Sequence, residues 1–284
     1  MKRILTAFVS LCLAASLCLS AFAASKGSFD HFQPVNTFSE ESFADVSGWF
    51  APYVSTVYSM GLMQGSINTY GERAFHPDGA ITLAEIITLA DRIHSTYYND
   101  GEPFLQGSPW YQTYVDYAVE KGILASADEY ENYSVPATRA QCAGILARAL
   151  PEAAYTQINT VELGAIPDLD MEQKDSLSVY TLYRAGIFTG SAMGAFRPDD
   201  EITRSEVAAV AARIVDPSLR VPFSLYAPLY VGFTIPADNA GKVGITGLTM
   251  TTDGASCYLT MDFKSQESRF LSIMNASESL YILK

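Results

Sequence analysis

Three stretches of this 284-residue chain align without gaps: "TLAEIITLADRI" from Thr82, "TRAQCAGILARAL" from Thr138 and "TRSEVAAVAARIV" from Thr203. A segment that recurs in this way is a unit too small to bury its own apolar face, so the copies must pack on one another. Within the alignment Ile86, Cys142 and Val207 coincide, as do Ala90, Leu146 and Ala211, then Ile93, Ala149 and Ile214. That spacing puts them on one face of a helix. Arg92, Arg148 and Arg213 coincide as well. Each stretch opens with Thr followed three residues later by Glu or Gln, giving the pairs Thr82 and Glu85, Thr138 and Gln141, Thr203 and Glu206. This is a capping box, in which the hydroxyl accepts from the third helical amide while the longer side chain reaches back. These six residues are therefore assigned to starting helices rather than to chemistry.

A second aligned set lies upstream: "WFAPYVSTVYSMGL" from Trp49, "WYQTYVDYAVEKGI" from Trp110 and "KDSLSVYTLYRAGI" from Lys174, with Gly61, Gly122 and Gly186 in register. Glycine followed by Leu62, Ile123 or Ile187 reads as a Schellman stop, where a left-handed residue ends a helix and an apolar one folds back on it. Every unit then reads helix, glycine stop, loop, Thr-capped helix. The segments between units, "YYNDGEPFLQGSP" and "PEAAYTQINTVELGAIPD", carry the Gly, Pro and polar residues of linkers.

The phrase "FHPDGAITLAE" at 75–85 returns as "FRPDDEITRSE" at 196–206, and the first unit opens with "FADVSGWF" at 43–50. Together with the paired helices, these stretches resemble the S-layer homology (SLH) family. The resemblance implies a mainly α fold in which three helix-loop-helix repeats, at 43–96, 104–151 and 163–216, close into a pseudo-threefold prism with grooves between repeats. It also implies a job: holding an exported protein non-covalently on a bacterial cell wall by binding secondary cell wall polysaccharide, whose sugars often carry pyruvate ketals. The pattern is incomplete in every repeat. Leu83 stands where Arg139 and Arg204 stand, the middle repeat opens without a clear Asp, and Lys174 replaces tryptophan.

The residue after a helix N-cap sits among backbone amides at the positive end of the helix dipole, a setting that favours a carboxylate. Arginine there adds a planar fork of matching shape. Arg139 and Arg204 hold this position, and Trp49 and Trp110 could offer flat faces to sugar rings while Asp45 and Asp168 accept sugar hydroxyls. Spacing alone favours packing for both tryptophans, since an aromatic opening an amphipathic helix usually belongs to the core. Leu83 admits two readings: a groove that has lost its anion site, or a core residue on the stripe of Ile86, Ile87 and Ala90.

The chain begins "MKRILTAFVSLCLAASLCLSAFA", two cations before an uncharged apolar run that ends in Ala-Phe-Ala, the pattern of a cleaved signal peptide over 1–23. Membrane insertion is not expected after cleavage. Without Lys2 and Arg3, 16 basic residues face 31 acidic ones, a net charge of −15 that repels nucleic acid. Residues 24–42 read as a flexible leader. From 217 to 284, short alternating runs such as Cys257 to Phe263 suggest a small C-terminal β-rich module, a possible site for a protein partner. Histidines and cysteines are too few and scattered for a metal site, no nucleophile or phosphate motif appears, and no cofactor is expected. An enzyme is thus disfavoured. The alternative to wall anchoring is a protein-interaction module on a degenerate SLH scaffold.

Overall fold

The computed structural model describes residues 26–225, apart from 40, 68, 70, 102–103 and 192–193, together with the backbone of four strands within 230–283. The signal-peptide segment lies outside the described residues. Two compact parts are distinguished, Met1–Ala227 and Pro228–Lys284.

Six α-helices form three successive pairs: α1 (Ala51–Ser59) with α2 (Leu83–Tyr98), α3 (Gln112–Glu120) with α4 (Arg139–Arg148), and α5 (Ser176–Arg184) with α6 (Arg204–Val215). The first helix of each pair stops where the sequence places glycine, with φ of 72° at Gly61, 73° at Gly122 and 72° at Gly186. The amides of Leu62, Ile123 and Ile187 then reach back to the carbonyls of Val57, Ala118 and Leu182, closing the Schellman loop. Each second helix starts at its threonine with both halves of the capping box formed. Neither tryptophan lies inside its helix. Trp49 sits in a 3-10 turn, Gly48–Phe50, and Trp110 precedes α3 by two residues.

The three pairs are joined head to tail through the starts of α2, α4 and α6. Leu83 and Ala84 donate their amides to the carbonyls of Val135 and Tyr133, Arg139 and Ala140 to those of Asp200 and Pro198, and Arg204 and Ser205 to those of Gly79 and Pro77. Ala137 donates to Ile81, Ile202 to Ala137 and Ile81 to Ile202, a closed cycle of three bonds. The first two amides of each second helix, orphans by helix geometry, are thereby satisfied by a neighbouring loop, and the third by threonine. Around this centre α2 lies on α3, α4 on α5 and α6 on α1. The aligned apolar positions Ile86, Cys142, Val207, Ala90, Leu146, Ala211, Ile93, Ala149 and Ile214 are all fully buried. The Cys142 thiol sits among them, and burial pushes its pKa up to about 12.

Within 24–42, expected to be a flexible leader, residues 28–32 dock on α2 and Val35 and Asn36 donate their amides to Ser59 O at the end of α1. Ser28 donates its amide to Tyr97 O, His31 Nδ1 lies 2.7 Å from the same carbonyl, and Phe32 is buried. Aromatic content explains this: Phe29 meets Tyr97 edge to face at 5.4 Å. The start of the C-terminal region also differs from expectation, because 217–225 belongs to the helical part. Asn159 Nδ2 donates to Tyr183 O and Val221 O while its Oδ1 accepts from the amide of Phe223, and β3 (Thr160–Val161) pairs in parallel with β4 (Ser224–Leu225). A short antiparallel pair in the loop between α1 and α2, β1 (Ser66–Ile67) with β2 (Arg73–Ala74), completes this part. In the second part, β5 (Tyr230–Gly232) pairs antiparallel with β8 (Tyr281–Leu283), and β6 (Val243–Thr252) with β7 (Cys257–Ser265). The alternating run from Cys257 to Phe263 falls in β7. No helix among the described residues is long and apolar enough to cross a membrane.

Candidate functional site

Asp45 and Asp168 clamp the two copies of the repeated phrase. Asp45 accepts from the amides of Phe75 (2.8 Å) and His76 (2.7 Å), one to each carboxylate oxygen. Asp168 does the same for Phe196 and Arg197, both at 2.7 Å. Two charge-assisted bonds per carboxylate hold His76 and Arg197 at φ of 59°, in a left-handed turn that non-glycine residues seldom adopt. The geometry gives these aspartates a loop-shaping job in place of the hydroxyl-accepting one expected of them.

Pinned in this way, each loop presents a carbonyl to an arginine from another helix pair. Arg139, 6 % exposed, donates from Nε to Phe196 O at 2.7 Å and from Nη1 to Glu206 Oε1 at 2.8 Å. Arg204 repeats the pattern on Phe75 O at 2.9 Å and Glu85 Oε1 at 3.0 Å. Each guanidinium also lies over the ring of the phenylalanine whose carbonyl it holds, at 5.3 Å for Phe196 and 5.2 Å for Phe75. Glu85 and Glu206 therefore serve twice, since Oε2 closes the capping box while Oε1 takes the arginine.

This arrangement decides the two readings of Leu83. It is 2 % exposed, and in the cyclic order set by Arg139 with Glu206 and Arg204 with Glu85 the position left for it is the uncharged Gln141, so the pattern supplies no carboxylate for an arginine there. Leu83 is core. The expected backbone half of an anion site is also corrected: the first amides of all three helices are bonded to neighbouring carbonyls and do not point into a groove.

Trp49 and Trp110 are 60 % and 46 % exposed, against the core role that spacing favours. Trp49 borders a cleft of about 160 Å³ lined also by Arg139, Phe188, Thr189, Gly190, Arg197, Glu206 and Arg213. Three guanidinium groups thus face one carboxylate in a protein that is acidic as a whole. Arg213 is held by Ile187 O at 3.0 Å and Tyr53 Oη at 3.1 Å, with its charge 5.0 Å above the Tyr53 ring, and its buried Nε has no partner. A cationic cleft edged by an exposed tryptophan suits a small anionic group on a sugar-like ring. The volume lies below the roughly 300–1,000 Å³ of drug-sized pockets, so the cleft itself has room for about one ring. At matching positions, Arg92 donates to Leu62 O at 3.0 Å and lies 6.0 Å above the Tyr114 ring, one turn past Trp110.

Of the residues singled out from sequence, the structure brings Trp49, Arg139 and Glu206 to one cleft. Trp110, Arg204 and Glu85 occupy the matching positions of the neighbouring helix pairs. Asp45 and Asp168 shape loops, while Thr82, Thr138, Gln141 and Thr203 cap. Sequence reasoning missed Arg197 and Arg213. Arg213 had a signal, its coincidence with Arg92 and Arg148; Arg197 aligns with His76 and had none.

The S-layer homology domain model matches residues 42–87 and 167–208. Trp49 and Glu85 fall in the first match and Asp168, Arg204 and Glu206 in the second, whereas the stretch holding Trp110 and Arg139 lies outside both. No curated protein matches the chain. S-layer homology domains serve in general to anchor proteins to the cell wall, which places a chain carrying them at the cell surface.

Proposed function

We propose that the chain is an exported wall-anchoring protein. Its three helix pairs act as a pseudo-threefold SLH prism, and the cleft beside Trp49 binds a carboxylated sugar, such as a pyruvylated residue, of secondary cell wall polysaccharide. The observation that carries this reading is the meeting of an exposed tryptophan with Arg139, Arg197 and Arg213 on a protein of strongly negative net charge. Trp49 supplies the apolar face that a sugar ring stacks on, and Arg197, 53 % exposed and lining the same cleft, supplies a donor for the carboxylate. Arg139 is committed to Phe196 O and Glu206, so it shapes the wall of the cleft and contributes field. Trp110, Arg204 and Arg92 form a second, matching candidate. The test is co-sedimentation of residues 24–284 with wall sacculi before and after the attached polysaccharide is stripped. Binding should fall with stripping. Equal binding to stripped sacculi would overturn the reading.

A further inference from the structure

The cleft between the middle and last helix pairs is made of positions that match the one beside Trp49, yet it is arranged differently. Lys174 stands at the Trp49 position, Arg148 at that of Arg213 and the Ala125 amide at that of Thr189. Onto these three the loop after α3 folds the side chain of Glu129. Its Oε1 accepts from Lys174 Nζ at 2.9 Å and from Arg148 Nη2 at 3.3 Å, and its Oε2 accepts from the Ala125 amide at 2.7 Å. Only 7 % of the Glu129 side chain is exposed. Asp175 braces Arg148 from the other side at 2.9 Å. Tyr130 covers Lys174, whose ammonium is 5.0 Å from the ring centroid.

Two cations and a backbone amide converging on one buried carboxylate are what a carboxylate-binding site consists of. Burial alone would push the Glu129 carboxyl up; the Ala125 amide, Lys174 and Arg148 together outweigh it and hold the group below its ordinary value. The receptor groups come from α4, the turn before α5 and the loop after Gly122. The carboxylate comes from four residues further along that same loop, whose turn is closed by the Glu129 amide donating to Ser126 O at 3.3 Å. Truncating the side chain retains that backbone bond together with Lys174, Arg148 and the Ala125 amide.

We propose that this cleft is a carboxylate-binding site that the chain fills with its own Glu129, and that it accepts a small exogenous carboxylate once Glu129 is truncated. The site is distinct from the one beside Trp49, and the inference holds whether or not that one takes a wall polymer.

Glu129→Ala tests this with acetate as the probe. The variant should melt below the wild type, and acetate should raise its melting temperature saturably by about 3 °C over equal chloride. Acetate should also shift the Ala125 amide resonance. Glu129→Gln, which keeps the cleft filled, and the wild type should show neither effect. If Glu129→Ala does not fold in chloride, the readout becomes the yield of soluble protein on refolding, which should be higher in acetate. Identical responses to acetate and chloride in the Ala variant, or an equal acetate response in the Gln variant, would overturn the proposal.

Discussion

The cleft beside Trp49 and the cleft beside Lys174 occupy matching places in the molecule but differ in what neutralises their cations. In the first, Arg139, Arg197 and Arg213 face Glu206, with Asp200 3.4 Å from Arg197 as the second carboxylate, which leaves one cation in excess. In the second, Arg148 and Lys174 face Glu129 and Asp175, so the charges balance internally. The starts of the second helices show the same division. Arg139 and Arg204 each meet a glutamate from a capping box, whereas the third capping box, the one the same cyclic order leaves for Leu83, is built on the uncharged Gln141. A shared frame thus produces one cleft with a cation in excess and one neutralised from within. The lesson is that repeat number does not equal site number: each position must be judged by its charge balance.

The most severe way to break this comparison is to put arginine where the frame omits it. Leu83→Arg would bury a guanidinium at a core position where the repeat pattern offers Gln141 in place of a glutamate, and should cost about 4 kcal/mol or more. Denaturant unfolding measures this; a loss below about 1 kcal/mol would mean the position is less committed to the core than its burial indicates.

Next in size is Arg139→Ala, which leaves Phe196 O without its donor and removes the closer of the two arginines from Glu206. It should cost about 3 kcal/mol. Arg204→Ala should cost less, because the side chains of Arg204 and Glu85 are 16 % and 37 % exposed against 7 % and 27 % for Arg139 and Glu206. Equal losses would show that the two arginines are not graded by burial. In either variant a fall in wall binding counts only after folding is verified.

The smallest effect has the opposite sign. Asp91 lies on α2 where the aligned positions carry Ala147 and Ala212; it is fully buried, neither carboxylate oxygen has a partner, and burial pushes its pKa up to about 9. The folded protein therefore holds a proton there between about pH 4 and pH 9 that the unfolded chain releases, so stability falls as pH rises through that window. Asp91→Ala should remove this slope and gain about 2 kcal/mol at pH 7, after allowing for the small cavity left behind. Parallel stability curves for variant and wild type across pH 4–9 would contradict the assignment.

What was legible in the sequence was local. A capping threonine needs its partner three residues on and a Schellman glycine needs only its φ, so all six helix boundaries set by these residues were readable. The apolar stripe followed from the alignment for the same reason. What could not be read depends on pairings across the chain. Glu85 is 119 residues from the arginine it holds and Glu206 is 67 from its own, so sequence assigned them only to capping. The loop-clamping role of Asp45 and Asp168 is equally non-local. Spacing alone points Trp49 at the core because helix periodicity extends to a residue that actually precedes the helix, in a 3-10 turn where the side chain is 60 % exposed. Glu129 lies in the shortened loop of the middle unit, and no pattern marks it.

The central claim is that the cleft beside Trp49 takes an anionic sugar. The chain has two tryptophans, and both are exposed. Their indole N–H resonances, assigned with Trp49→Phe and Trp110→Phe, can be followed by two-dimensional ¹H–¹⁵N spectra of ¹⁵N-labelled residues 24–284 as solubilised wall polysaccharide is added. The account predicts a saturable shift of the Trp49 indole that is lost when the carboxylated substituents are removed from the polymer by mild acid. A Trp49 signal that stays fixed at saturating polymer, or that shifts equally with the acid-treated polymer, would contradict it.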